Sequence, residues 1–268
     1  MKLVGIFLRV MAIFIGVSFA SCLKGNDDDR QYRGVALATV ELGYGNTNYL
    51  FKLDTGEKLI PTTGINDPTK LSSVKRIFIS YYFDSAEEIN EQELVTNINE
   101  REYHISVISI INLEENVTLL SAHGTTGDSL TTTYYDPIES IDSLRIKDNY
   151  LTLWVNYDMS GEKLHFFTLF RYQEDGVKEG KAGEPDTLEV YLGHNSRGDS
   201  YYGTTSSNFV YSDMGYAPVY YKAFHLKNVV SELPSGVSSN LALKVISREV
   251  SHSSKDTISV SYSVNYFN

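Results

Sequence analysis

Six histidines punctuate this chain of 268 residues: His104, His123, His165, His194, His225 and His252. None stands four residues from another with a glutamate between, so the helical H-E-x-x-H zinc signature is absent. His165 and His194 fall on or beside segments that could be neighbouring strands, where two imidazoles could share a metal. Without a carboxylate at ligand spacing, a hydrogen-bonded strand histidine is the expected reading, and no metal or cofactor is assigned. No serine occupies the G-x-S-x-G turn that exposes a nucleophile. Aspartate and glutamate are abundant, but abundance alone does not single out an acid/base pair. No catalytic residue is assigned. The most site-like segment is His194-Asn195-Ser196-Arg197-Gly198-Asp199. It gathers an imidazole, an amide, a guanidinium and a carboxylate, the mixture that collects in binding loops. Asn, Gly and Asp also close turns for local backbone reasons. Its Arg197-Gly198-Asp199 spells an adhesion tripeptide, too short a match to carry meaning. Tyr201 and Tyr202 open a tyrosine-rich stretch running past Tyr211, Tyr216, Tyr220 and Tyr221, a composition suited to adaptable recognition. His194, Asn195, Arg197, Asp199, Tyr201 and Tyr202 are therefore the candidate partner-binding residues.

The one cysteine, Cys22, carries a different chemistry. Lys2 and Arg9 precede an apolar run over 10–19, and the small residues Ala20 and Ser21 stand directly before the thiol. Cation, apolar run and small residues form the order of a secretory signal. A bilayer-spanning helix needs about 20 apolar residues, and Arg9 interrupts any extension towards Leu3. Phe19-Ala20-Ser21-Cys22 resembles the lipobox of bacterial lipoproteins, although that motif prefers Leu where Phe19 stands. The resemblance implies a signal peptide over 1–21 and acylation at Cys22 by palmitate-type chains. Each buried methylene contributes about 0.8 kcal/mol, so several chains anchor a protein to a membrane durably. Residues 22–30 continue as a polar tether holding Asp27-Asp28-Asp29. That tract resembles the surface-export signal of Bacteroidetes lipoproteins and implies an outer-membrane address facing the exterior.

Loss of residues 1–21 removes two cations and no acid, leaving 21 Lys and Arg against 34 Asp and Glu, a formal charge of −13. Such a surface repels phosphates, so nucleic acid is excluded as the expected partner, and a protein or glycan ligand remains. With one cysteine, the chain has no internal disulfide. Stability must come from buried area.

The elements that would position these groups are strands. Residues 35–42 are apolar on both faces; Tyr49, Phe51 and Leu53 alternate with polar residues; Asp54-Thr55-Gly56 turns the chain into 57–60, and Pro61 is expected to stop that strand. Runs over 74–83 and 101–113 follow, with Tyr103, Ile105, Val107 and Ile111 expected on one face. Five short strands over 31–120 suit a small closed barrel of OB type, or else an open meander. Glu87 to Glu93 reads as a short helix or a loop. A Gly/Ser/Thr-rich stretch over 120–136 marks the junction. Over 130–268 the pattern alternates again: Leu151, Leu153, Val155 and Tyr157; Leu164, Phe166 and Phe170; Leu188, Val190 and Leu192; 219–226; Leu241, Leu243 and Val245; Ile258, Val260 and Tyr262. Strands joined by polar turns, without a ten-residue amphipathic helix, predict an Ig-like antiparallel β-sandwich in an all-β chain.

This order of parts resembles the NigD-like family of Bacteroidetes lipoproteins. The likeness rests on Asp27-Asp28-Asp29, Ala38-Thr39-Val40, 49–56, Asp136-Pro137-Ile138, Asn149-Tyr150-Leu151, Leu192-Gly193-His194-Asn195 and Gly198-Asp199. The resemblance implies an OB-like domain followed by a β-sandwich, and a non-catalytic accessory role, with bacteriocin immunity its sharpest form. Such proteins commonly carry arginine before the histidine, where Gly193 stands here. A glycan-binding accessory is the alternative, on the tyrosine-rich loops, and a secreted hydrolase a third, on the carboxylates alone.

Overall fold

The computed structural model describes residues 32–43, 49–120, 122, 133–157, 163–199, 220–230, 241–250 and 257–266. Cys22, the signal and tether, His123, His252, Tyr201, Tyr202, Tyr211 and Tyr216 lie outside the described residues. The chain divides into two units, Met1–Asn112 and Leu113–Asn268. No helix among the described residues is long and apolar enough to cross a membrane.

In the first unit, β1 (Arg33–Leu42), β2 (Tyr49–Leu53), β3 (Lys58–Thr63), β4 (Arg76–Phe83) and β5 (Glu102–Asn112) close into a barrel of order β1-β2-β3-β5-β4. β1 pairs with both β2 and β4, so the sheet has no free edge there and the open meander is excluded. This is the five-stranded closed barrel of the OB-like expectation. Asp54-Thr55-Gly56 turns β2 into β3 as expected. Pro61 does not stop β3. The strand runs on to Thr63 through a register shift against β5, and an irregular ladder is where a residue without an N–H is tolerated. A second shift, between Ser80 and Tyr81 of β4, moves the parity of β5. Tyr103, Ile105 and Val107 face the core, Ile108 is left exposed, and Ile110 rather than Ile111 packs inward. One extra residue in a strand exchanges its faces. Between β4 and β5, the stretch read as helix or loop is helix α1 (Ala86–Glu93), started by Ser85, whose hydroxyl accepts the Glu88 N–H.

Among the described residues, Arg76 is the largest side chain that is completely buried. Its guanidinium grips Asp54 through two bonds, Nη1 to Oδ1 at 2.5 Å and Nη2 to Oδ2 at 2.6 Å, and reaches Thr39 Oγ1 at 3.3 Å. The β2–β3 turn is thereby tied to the start of β4 and to β1.

The second unit contains β6 (Glu114–Leu120), β7 (Ser140–Lys147), β8 (Tyr150–Asn156), β9 (Phe166–Tyr172), β10 (Asp186–Asn195), β11 (Tyr221–His225), helix α2 (Lys227–Val230), β12 (Leu241–Val250) and β13 (Thr257–Asn265). Its eight strands form one sheet, β13-β12-β10-β9-β6-β11-β8-β7. The β character is as expected, but the pairing is mixed where a sandwich would be antiparallel: β10–β12, β6–β9 and β6–β11 are parallel. β6, which lies before the compositional junction, belongs to this sheet. The sheet curls until its edges approach: the Ile141 N–H of β7 donates to the Tyr262 hydroxyl of β13 at 3.3 Å, and that hydroxyl donates to Glu249 at 2.7 Å.

Arg76→Ala removes the cation and leaves the Asp54 carboxylate, only 8% exposed, buried alone. The expected loss is about 3–5 kcal/mol, read as a fall in the urea midpoint of the first unit. Replacing both partners with apolar residues of similar size costs much less. An unchanged midpoint in Arg76→Ala would show that the clamp does not stabilise the barrel.

Candidate functional site

The interior of the second unit is apolar for most of its length and polar at one end. Leu192, Phe167, Phe224 and Val117 all line the core. Two residues along each strand in the same direction stand His194, His165, Lys222 and Glu115, on the same face by the period-two rule. Tyr157 continues the line of Leu151, Leu153 and Val155 into this layer. The parity of β9 differs from the expectation that Leu164, Phe166 and Phe170 would form its core face. Leu164 is exposed, while His165, Phe167 and Leu169 point inward. Apolar residues occupy both parities here, so alternation alone does not choose a face.

His165 and His194 are brought together, but by a hydrogen bond. His165 Nδ1 lies 2.9 Å from His194 Nε2, His165 Nε2 lies 3.1 Å from Asp199 Oδ2, and His194 Nδ1 donates to the Pro137 carbonyl at 3.1 Å. All four ring nitrogens have protein partners. The nitrogens face one another rather than a common point, and no group of three or more metal-ligating side chains converges among the described residues. The His194 ring stacks on Phe167 at 4.6 Å, and Tyr157 leans on both imidazoles.

A wedge of chain supports this layer. β10 and β12 pair only from Asp186 to Tyr191 and from Leu241 to Ile246, and then diverge. Residues 135–138 fill the opening, Tyr135 bridging to His194 and Ile138 to Glu249. The Asp136 N–H donates to the His194 carbonyl at 3.0 Å, and the Ile138 N–H to the Arg248 carbonyl at 2.8 Å. Asp136 Oδ2 accepts both the N–H and the hydroxyl of Ser196 at 2.7 Å. Ser196 is thus committed to a carboxylate and is not activated by a histidine.

The segment after His194 is a turn, and the turn builds the site. The Asp199 N–H donates to the Ser196 carbonyl at 3.0 Å, and the central residues Arg197 and Gly198 have φ of 55° and 70°. Two positive φ values are the mark of a type I′ turn, which glycine adopts freely and arginine does not. Asn195 Oδ1 accepts the Arg197 N–H at 2.8 Å, and Lys163 donates to the carbonyls of Arg197 and Gly198 at 3.3 and 2.9 Å. Of the candidate residues, His194 and Asp199 are buried, Asn195 is half-buried, and Arg197 is exposed with its guanidinium 5.2 Å from the Phe166 ring centroid.

Lys222, Glu115, Tyr157, Asp136 and Lys163 were not candidates from sequence, although Asp136-Pro137-Ile138 was among the family-like motifs. Lys222 Nζ lies 4.8 Å from the Phe167 centroid and 3.5 Å from Glu115. Burial holds Lys222 below and Glu115 above their ordinary pKa ranges, each opposed by the other's charge. Burial also raises the Tyr157 hydroxyl, and it pushes His194 down to about 4. The other described histidines stand apart from this network: His104 bonds Glu88 in the first unit, and His225 packs on Tyr150.

No model of a known protein family matches the sequence, and no curated protein is similar to it in sequence. Among solved structures, the chain is similar to a candidate lipoprotein from Bacteroides fragilis, at 15% identity and a TM-score of 0.57, covering 87% of this chain and 98% of that one. It is similar to a NigD-like immunity protein from Bacteroides caccae, at 16% identity and a TM-score of 0.52, covering 87% and 96%. A toxin-related candidate from Parabacteroides distasonis matches at 20% identity and a TM-score of 0.50, covering 87% and 94%. At these identities the likeness is one of fold.

Two outcomes follow for this end of the sheet. A Cβ on Gly193 would lie 2.8 Å from Tyr134 Cβ and 3.1 Å from the Phe170 ring, so no side chain fits at this position unless its neighbours shift. Gly193→Ala is expected to lose about 1–3 kcal/mol in urea unfolding; no loss would mean that Tyr134 moves aside freely. His194 has a folded pKa below its unfolded value, so its contribution is complete above about pH 6.5 and is lost as pH falls towards about 4. The slope in that window is at most about 1.4 kcal/mol per pH unit. His194→Gln, compared with the wild type over that range, is expected to remove it.

Proposed function

We propose that this chain is a non-catalytic lipoprotein of the cell envelope, acylated at Cys22, that serves as a binding or accessory module. The observation that carries the reading is the closed polar end of the second unit. Both imidazoles are bonded through both nitrogens, and Ser196 is held by Asp136, so the gathered groups form a rigid support rather than an activated nucleophile. The names of the structural neighbours, a candidate lipoprotein and a NigD-like immunity protein, agree with that class. Bacteriocin immunity is its sharpest form, with the anchor in the outer membrane and the protein facing outward. Arg197, on the exposed side of a turn fixed from within, is the described residue best placed to meet a protein partner.

A glycan ligand is the second reading. Trp154, the single tryptophan, is half-buried on the sheet beside Tyr221 at 4.8 Å and stacked with Tyr220 at 5.8 Å. Aromatic faces of this kind can hold sugar rings.

Cys22→Ala is expected to release the chain from the membrane fraction, and unchanged retention would remove the anchor. The full chain in mild detergent is expected to turn over no ester, peptide or glycoside. Cells lacking it are expected to lose in coculture with their parent, and to recover when it is restored. Equal growth would count against immunity, and quenching of Trp154 fluorescence by oligosaccharides would favour the glycan reading.

A further inference from the structure

The relay at the polar end fixes its own proton count. The Pro137 carbonyl can only accept, so His194 Nδ1 carries a proton. The nitrogen pair His194 Nε2 and His165 Nδ1, at 2.9 Å, needs one proton between them. The pair His165 Nε2 and Asp199 Oδ2, at 3.1 Å, needs another. Two neutral imidazoles and a carboxylate supply only two. With two, His165 donates either to His194 or to Asp199, and in each case its other nitrogen turns a lone pair onto an acceptor. With four, and the carboxylate ionised, N–H opposes N–H across the nitrogen pair. Only three protons close every bond, and the relay is then electrically neutral, the state that suits groups whose side chains are 3% and 6% exposed at His165 and Asp199.

The geometry points to a proton-counted latch: a third proton, shared within the Asp199–His165–His194 relay, locks the 196–199 turn and the 135–138 segment to the end of the sheet. Losing that proton, or gaining a fourth, loosens both. The latch controls how rigidly Arg197 is presented. Among the described residues, the neighbouring charges do not supply the missing proton. On β11, Lys222 is paired with Glu115 of β6, and Tyr220, directly before β11, packs near Tyr157. Tyr157, directly after β8, is neutral, Asp136 of the wedge accepts from Ser196, and Lys163 ahead of β9 is spent on turn carbonyls.

The sign of the pH dependence follows from counting. Above about pH 6.5 the same groups in the unfolded chain approach two protons, and below it they approach four, while the latch keeps three. Its contribution therefore peaks near about pH 6.5 and falls by up to about tenfold in the folding constant per pH unit on either side. The acid arm coincides with the window of His194, and the alkaline arm belongs to the relay alone. Asp199→Asn separates the two, because the amide can turn and donate to His165 Nε2, closing the chain with two protons. Urea unfolding of the full chain in mild detergent, from about pH 5 to 8.5, should show the alkaline arm in the wild type and its absence in Asp199→Asn. Equal alkaline dependence in both would overturn the latch. Nitrogen-15 NMR of the wild-type histidines is the second measurement, independent of how any variant folds. Near neutral pH it should show three of the four ring nitrogens of His165 and His194 protonated while the Asp199 carboxyl is ionised. Only two protonated nitrogens opposite an ionised carboxylate would also overturn it.

Discussion

Backbone groups removed from water must find partners, and the divergence of β10 from β12 creates the place where this demand is hardest to meet. A parallel pair that separates leaves the facing edges of two strand ends without a ladder, although β10 still pairs with β9 and β12 with β13. Residues 135–138 fill that opening. The side chains and carbonyls of the same four residues then become the partners of everything nearby. Pro137 orients His194, Asp136 gathers Ser196, and Ile138 enters the core. The turn at 196–199 and the His165–Asp199 bond follow from that placement. One short irregular segment therefore sets the arrangement of the polar end.

The first unit uses charge in a different way. Arg76 and Asp54 are both buried, and their two parallel bonds join a turn to the strand opposite it. A buried pair of this kind adds little net stability over an apolar pair of equal volume, because desolvation offsets the attraction. It does discriminate between registers: a slip of one residue would leave each charge alone in the core. A five-stranded barrel that must close on itself has a use for such a marker.

The two units place their buried polar groups according to separate requirements. In the barrel they fix a pairing. At the end of the second sheet they form an internally bonded layer beneath an exposed turn. Networks in which each member is bonded stiffen what they support. The result is a fixed surface held from below, the feature on which the proposed binding role rests.

Alternation along single strands was plain in the sequence. Leu151, Leu153, Val155 and Tyr157, and then Leu188, Val190 and Leu192, declare their inner faces because polar or amphipathic residues separate them. The turn residues Asn195 and Gly198 were legible for local reasons, and helix α1 was half-legible from its charges. The parity of β9 was hidden, since Leu164, Phe166, Phe167, Leu169 and Phe170 leave no polar face to contrast. Strand direction was hidden as well, because hydrophobic period says which way a side chain points and nothing of which neighbour runs beside it. The relay joins residues 29 and 34 positions apart, and Asp136 meets Ser196 across 60. Local composition determined most of the strands, several of their inner faces and the turn, but not β6 or β7. Pairing between distant strands decided that His165 turns inward to meet His194 and Asp199, because which face of a doubly apolar strand is buried depends on what lies against it.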